Sequence, residues 1–72
     1  MRTLDVRGRS CPIPIVELMR VIKTLAEGDE VEIKADDNAF PADVEAWCKK
    51  TGNALVRLTK DDSEHVALVR KA

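Results

Sequence analysis

The stretch Cys11-Pro12-Ile13-Pro14 constrains the fold of this chain most, because it fixes the start of a helix. Proline is tolerated in the first helical turn, where the N–H that it lacks would have no partner. The residue before a proline is pushed towards extended geometry, which is also the geometry of an N-cap residue. We therefore expect Cys11 to be the N-cap of a helix, with its sulfur beside unpaired N–H groups. That position lowers the pKa of a thiol and favours the nucleophilic thiolate.

Apolar residues at helical spacing predict two helices, each followed by a glycine. The first is predicted over residues 12–26 with Gly28 as its C-cap, and the second over residues 41–51 with Gly52 in the same role. The loop Asp36-Asp37-Asn38 is expected to offer side-chain oxygens to the start of the second helix. The predicted core faces contain Ile15, Leu18, Met19, Ile22, Leu25 and Ala26 in the first helix and Phe40, Val44, Trp47, Cys48 and Thr51 in the second.

Alternating apolar and polar residues predict four strands, over residues 3–6, 30–35, 54–60 and 64–71. The last two form a hairpin through the turn Asp61-Asp62-Ser63. The element order β-α-β-α-β-β favours a two-layer α+β sandwich, with both helices on one face of a mixed four-stranded sheet. We expect residues 1–72 to form one such domain. The opposite face of the sheet would be exposed to solvent and would carry Glu30, Glu32, Lys34, Arg57 and Thr59.

Composition excludes several classes of function. The net charge is -1, and the chain has one Trp, one Phe and no Tyr, so neither a basic patch nor a stacking surface for nucleic acid is expected. No segment approaches the ~20 apolar residues of a membrane span, and the N-terminus does not resemble a signal peptide. Two cysteines cannot make the disulfide framework of a small secreted protein. We expect a cytoplasmic protein with reduced thiols and no membrane insertion.

The two cysteines have different predicted roles. Cys48 falls in the apolar stripe of the second helix and is interpreted as a small core residue, with a resolving-thiol role as the minor alternative. Cysteine is a poor choice for a purely structural cap, so Cys11 is interpreted as functional. Arg7 and Arg9 could add positive charge beside its thiolate, and Gly8 makes the turn that leads to it.

Most thiol chemistries are not supported around Cys11. The lone histidine, His65, is interpreted as a surface or half-buried strand residue with no reason to lie near the thiol. Pro14 occupies the place of the second cysteine of a redox pair, and no metal-ligand spacing is present. What remains is a nucleophilic sulfur without visible acid/base machinery, able to accept and pass on sulfur. Ile13 and Val16 lie on the otherwise polar side of the first helix and are interpreted as a docking surface.

The chain resembles the TusA family of sulfur-carrier proteins, also called the SirA/YedF family. The resemblance rests on Leu4-Asp5-Val6-Arg7-Gly8 followed by the CPxP motif of Cys11-Pro12-Ile13-Pro14. It continues through Gly28-Asp29, Asp36-Asp37, residues 47–52 and the final hairpin, and so covers essentially the whole chain. The chain departs from the usual family pattern at Arg9, Asn38 and Asn53.

The resemblance implies a fold like the C-terminal domain of a translation initiation factor and a persulfide on Cys11, positioned by Pro12 and Pro14. It implies a sulfur donor such as a cysteine desulfurase or a rhodanese, and an acceptor such as a DsrE-like protein. The sulfur would serve tRNA thiolation, molybdenum-cofactor biosynthesis or dissimilatory sulfur metabolism. No cofactor or metal is expected, and the carrier is expected to be a monomer. The rival functions are a non-catalytic regulatory or interaction module and a thiol redox sensor.

Overall fold

Four strands form one mixed sheet, and two helices cover one of its faces. The computed structural model describes residues 2–60 and 63–72. Along the chain the elements are β1 (Arg2–Asp5), α1 (Ile13–Lys23), β2 (Glu30–Ala35), α2 (Phe40–Thr51), β3 (Ala54–Lys60) and β4 (His65–Arg70). The predicted two-layer α+β sandwich is confirmed. The predicted turn at Asp61 and Asp62 lies outside the described residues. None of the helices described here has the length and apolar character needed to cross a membrane.

The sheet has the strand order β1-β2-β4-β3, so the last strand of the chain inserts between β2 and β3. The β1–β2 pair is parallel, as its crossover through α1 requires, and the other two pairs are antiparallel. Glu30 stands opposite Arg70 in the ladder, and their side chains form an ion pair of 2.8 Å. Backbone pairing therefore sets the register of the central strands β2 and β4, and the Glu30–Arg70 ion pair is compatible with that register.

A bulge in β3 alters the predicted alternation of that strand. The pairing with β4 shifts between Leu55 and Arg57, which leaves Val56 exposed. Because a bulge adds one residue to one strand of a pair, Leu55 and Leu58 both pack against the core although they are three positions apart. On the sheet face predicted to be exposed to solvent, Arg57 and Thr59 are exposed, whereas Glu30, Glu32 and Lys34 are half-buried.

The core lies between the helices and the inner face of the sheet. α1 packs over β2, α2 packs over β3 and β4, and the helices contact each other. Alternate residues of the central strands point into this layer, as the period of two requires. The buried core consists of Val6, Leu18, Ile22, Val31, Ile33, Ala35, Phe40, Val44, Cys48, Ala67 and Val69.

The first helix is shorter than predicted. It ends at Lys23 with Thr24 as its C-cap, because the Thr24 hydroxyl donates to the carbonyl of Val21 at 2.7 Å and competes with continuation of the helix. The Asp29 carboxylate then accepts the N–H of Ala26 at 3.1 Å. The predicted C-cap role of Gly28 is wrong, since Gly28 lies in the following turn. Two predicted core residues of this helix, Met19 and Ala26, are exposed.

The second helix agrees closely with its prediction but starts one residue earlier, at Phe40. Its N-cap is Ala39. The Asp37 carboxylate accepts the N–H of Ala39 at 3.1 Å, so the predicted contribution of the loop side chains acts one residue before the helix. Gly52 is the C-cap, with φ of 83° and its N–H on the Cys48 carbonyl. Thr51, predicted in the core stripe, is exposed and donates its hydroxyl to the carbonyl of Trp47.

Candidate functional site

Cys11 lies in an exposed turn before α1, with its thiol directed at α2. Its Sγ donates a hydrogen bond to Oδ2 of Asp43 at 2.9 Å. The two residues are 32 positions apart in the chain, so this contact exists only because α1 and α2 pack side by side. The thiol therefore has a carboxylate partner that the sequence motif does not include.

The turn that carries Cys11 is held at both ends. On one side, the N–H of Gly8 donates to Oδ1 of Asp36 at 2.9 Å, which ties the turn to the loop after β2. On the other side, Pro14 is fully buried and anchors the first turn of α1 in the molecule. Pro12 lies next to the thiol and lines the same cleft. The positioning roles of Gly8, Pro12 and Pro14 stay predictions, and these contacts give their physical basis.

The predicted N-cap role of Cys11 is wrong. Pro12 is the N-cap of α1, and the first helical residue is Ile13. The N–H of Ile13 donates to the carbonyl of Ser10 at 2.9 Å, and that of Ile15 donates to the carbonyl of Pro12 at 3.1 Å. Because these two donors are paired and both prolines lack an N–H, residues 12–15 offer the sulfur no unpaired donor. The motif begins the helix, but it does not place the thiol in the helix's positive end.

The predicted lowering of the Cys11 pKa is also wrong. The hydrogen bond to Asp43 raises the pKa of the Cys11 thiol, because it favours the protonated form. Partial desolvation, the charge of Asp43 and the charge of Asp37 act in the same direction. The carboxylates of Asp43 and Asp37 therefore dominate the electrostatic effect on the Cys11 thiol and stabilise its protonated form.

Arg7 and Arg9 lie in the turn before Cys11, as the sequence requires. The Arg7 guanidinium binds Asp5 through two hydrogen bonds, of 2.9 and 2.7 Å, and also lies 3.7 Å from Glu64. Arg9 is exposed. Electrostatic support of the thiol by either arginine stays a prediction, and for Arg7 the positive charge is already engaged by carboxylates.

The Cys11 thiol opens into a shallow cleft between α1 and α2. This cleft has a volume of about 310 Å³ and is lined by Cys11, Pro12, Ile15, Asp43, Ala46, Trp47 and Lys50. Its walls are mainly apolar, while Asp43 and Lys50 contribute one charge of each sign. A larger cleft of about 460 Å³ lies elsewhere and is lined by Arg2, Leu25, Gly28, Asp29 and Glu30. Of these two clefts, only the smaller one is lined, among the described residues, by a nucleophilic side chain, the thiol of Cys11, and we therefore take it as the candidate site.

Sequence reasoning missed the contribution of α2 to this site. From the sequence alone, Asp43 complements the helix dipole, Trp47 belongs to the core stripe and Lys50 to the last helical turn. A signal is nevertheless present, because positions 43, 46, 47 and 50 share one face of a helix. What the sequence does not contain is the packing of that face against the start of α1.

The remaining residues with potential chemistry lie away from the cleft. Cys48 is 4% exposed, and burial raises the pKa of its thiol, in keeping with its interpretation as a core residue. His65 is buried rather than at the surface or half-buried, and its Nδ1 has no hydrogen-bond partner among the residues described. Within residues 2–60 and 63–72, no group of three or more His, Cys, Asp or Glu side chains could hold a metal ion.

The predicted docking residues flank the site on the α1 side. Ile13 is 38% exposed, similar to Met19 in the same helix, and Val16 is half-buried. Both lie within five positions of Cys11, in the first part of α1. Their role in docking stays a prediction.

These observations define a class: a small two-layer α+β protein that presents one exposed thiol at the start of its first helix, beside a carboxylate. Comparison with known families is then decisive. The family model described as Sulfurtransferase TusA matches residues 2–71. The chain belongs to the TusA family.

Relatives from bacteria and archaea support this assignment. A protein of Aquifex aeolicus is 35% identical over 71 residues, which is 99% of this chain but 36% of that protein. A protein of Neisseria meningitidis is 34% identical over 94% of this chain and 92% of its own length, and one of Archaeoglobus fulgidus is 32% identical over 99% and 97%. All three carry the name "putative sulfur carrier protein". The chain thus spans about a third of the first relative and nearly all of the other two.

A solved structure confirms the fold. The crystal structure of a SirA-like protein from Desulfitobacterium hafniense superposes with a TM-score of 0.85. The match covers 97% of this chain and 96% of the other, at 22% sequence identity. The two-layer arrangement is therefore shared although most side chains differ.

Proposed function

We propose that this chain is a sulfur carrier that holds sulfane sulfur as a persulfide on Cys11. The observation that carries the proposal is the exposed Cys11 thiol at an open cleft, in a chain matched over residues 2–71 by the TusA family. Cys48 is buried and does not present a sulfur to a partner. The names of the relatives from Neisseria meningitidis and Archaeoglobus fulgidus support the same function.

The chemistry of loading is a thiol exchange. The Cys11 thiolate attacks the outer sulfur of a persulfide on the donor, and a new S–S bond forms at Cys11 Sγ. The S–S bond of the donor breaks, and the donor leaves as a thiolate. The transferred sulfur keeps its oxidation state, so the step needs no added oxidant or reductant. Delivery is the same exchange, with Cys11 as the leaving thiolate.

Two partner proteins follow from this chemistry, a donor and an acceptor. We infer a cysteine desulfurase or a rhodanese as the donor and a DsrE-like protein as the acceptor, with delivery towards tRNA thiolation, molybdenum cofactor or dissimilatory sulfur metabolism. Ile13 and Val16 would contact these partners, since they lie on α1 close to the thiol. A carrier needs an exposed reactive atom, and the open cleft leaves Cys11 accessible.

We further propose that the carrier works in the cytoplasm, where thiols stay reduced; both cysteines are free in the structure. A rival thiol redox sensor would react through the same Cys11 thiolate, so the raised pKa of Cys11 does not separate the two functions. The product separates them: a sensor gives a sulfenic acid or a disulfide on Cys11 after oxidant, whereas a carrier gives a persulfide after a sulfur donor.

The test is loading with a small inorganic polysulfide, followed by mass spectrometry of the intact protein and of its cysteine peptides. The wild type and a Cys48→Ala variant should each gain the mass of sulfur on the Cys11 peptide. Cys11→Ser should gain none, because serine cannot form a persulfide. Equal uptake by Cys11→Ser and the wild type would show that Cys11 is not the carrier residue.

A further inference from the structure

Asp43 contacts the reacting atom of Cys11 from the opposite helix. Its Oδ2 accepts the Sγ–H hydrogen bond at 2.9 Å. Asp43 lies in the first turn of α2, between the buried residues Phe40 and Val44, so the packing of the helix places its backbone beside the Cys11 turn. The hydrogen bond itself lies at the surface, where it can act on the reactivity of the thiol towards molecules in solution.

The carboxylates that face the thiol favour its protonated state. They are Asp43 from α2 and Asp37 from the loop before it, whereas Lys50, which also lines the cleft, carries the opposite charge. None of the ion pairs in the described part of the chain joins a cation to Asp43. The first turn of a helix is also a favourable place for a negative side chain. The Asp43 carboxylate is thus able to act on the thiol as an anion.

We propose that Asp43 is a positioning residue that restrains the reactivity of Cys11 by holding its thiol proton in the Sγ–Oδ2 hydrogen bond. A thiol is a poor nucleophile compared with its thiolate, and a thiol also resists oxidation better. An exposed cysteine without such a partner would react with any small electrophile that reached it. The hydrogen bond therefore keeps the empty carrier protected, and the raised pKa of Cys11 agrees with this role.

The test is the pH dependence of alkylation at Cys11 by iodoacetamide, followed by mass spectrometry of the Cys11 peptide. Asp43→Asn keeps the shape of the side chain but removes its charge, and its amide N–H can donate to a thiolate. We expect this variant to be alkylated several-fold faster than the wild type at neutral pH, with the midpoint of the profile at lower pH. The matched control is Glu45→Gln, which removes an exposed carboxylate two residues along the same helix. It should leave the profile unchanged.

Two results would overturn the proposal. One is an Asp43→Asn profile identical to that of the wild type, and the other is an equal shift in Glu45→Gln. Circular dichroism establishes that both variants are folded. A second measurement needs no variant: native wild type should be alkylated with a midpoint at higher pH than the same chain unfolded in urea. A native midpoint at or below the unfolded one would equally contradict the restraint.

The inference rests on the proposed function in taking Cys11 as the working residue, but its test is independent of sulfur transfer. If the protein takes up no sulfur and Asp43→Asn still shifts the alkylation profile, the carrier function fails and the restraint stands. If Cys11 takes up sulfur and the alkylation profiles coincide, the restraint fails and the carrier function stands.

Discussion

Asp5 and Arg7 form the best-defined ion pair near the Cys11 turn, and it gives a prediction on pH. The hydrogen bonds from Arg7 lower the pKa of Asp5 from 3.8 to about 2. The ionised pair therefore stabilises the fold above pH 3.8, and that stabilisation is lost as the pH falls through about 2. NMR titration of the Asp5 carboxyl carbon should give a midpoint of about 2 in the wild type. In Arg7→Gln the midpoint should rise towards 3.8.

Lys49→Gln is the control for this titration, because it removes a positive charge at the far end of α2. Its Asp5 midpoint should match that of the wild type. Both partners of the pair are about half exposed, so added salt should raise the wild-type midpoint. An Asp5 carboxyl that titrates at 3.8 in the wild type would show that the pair does not persist in solution.

At the scale of single residues, the sequence predicts the role of some site residues and not of others. Cys11 is recognisable because the prolines on its C-terminal side form a local motif, and a local motif is fully visible in a sequence. Asp43 is not recognisable as its partner, since their contact spans 32 positions and depends on the packing of two helices. The pKa of Cys11 is predicted in the wrong direction for the same reason. The prediction uses the neighbours of Cys11 in the chain, which suggest a helix cap, whereas the carboxylate that raises the pKa belongs to Asp43 in α2.

At the scale of elements, the end of α2 gives a prediction on stability. Gly52 has φ of 83°, a left-handed conformation that costs an ordinary L-residue about 1 kcal/mol or more. A Cβ added there would meet nothing within 4 Å, so the cost is conformational and not steric. Gly52→Ala should lower the free energy of unfolding by about 1 kcal/mol, as measured by urea denaturation.

Gly52→Asn is the matched variant, because asparagine tolerates the left-handed region better than alanine does. It should lose clearly less stability than Gly52→Ala. Equal losses in the two variants, or no loss in either, would mean that the backbone conformation at Gly52 does not limit stability.

The bounds of an element are predicted well where one local pattern dominates. They are predicted less well where side chains form hydrogen bonds with the backbone at the end of the element. The alternation in β2 and the glycine after α2 each act over a few residues, and both are confirmed. The predicted end of α1 is too late, because the hydroxyl of Thr24 and the carboxylate of Asp29 bond to the backbone there. The bulge in β3 is not predicted, since the apolar run from Leu55 to Val56 fits either register.

At the scale of the whole molecule, the sequence predicts the layers but leaves the order of the strands open. Two amphipathic helices and four strands have few ways to bury their apolar faces, and the two-layer sandwich is the simplest. The insertion of β4 between β2 and β3 depends on long-range pairing. The stretch His65-Val66-Ala67-Leu68-Val69 suits a central strand, because it is nearly free of charge.

A fold of 72 residues has a small core, so single core residues should account for a large share of its stability. Leu18 of α1 is fully buried in the core. Leu18→Ala should lower the free energy of unfolding by about 2–5 kcal/mol, because apolar burial is lost and a cavity is left behind. Its neighbour Met19 is 39% exposed, and Met19→Ala should cost less than about 1 kcal/mol. Urea denaturation of both variants measures the difference, with Met19→Ala as the control for helix propensity. Similar losses in the two variants would mean that α1 does not pack on the sheet through Leu18.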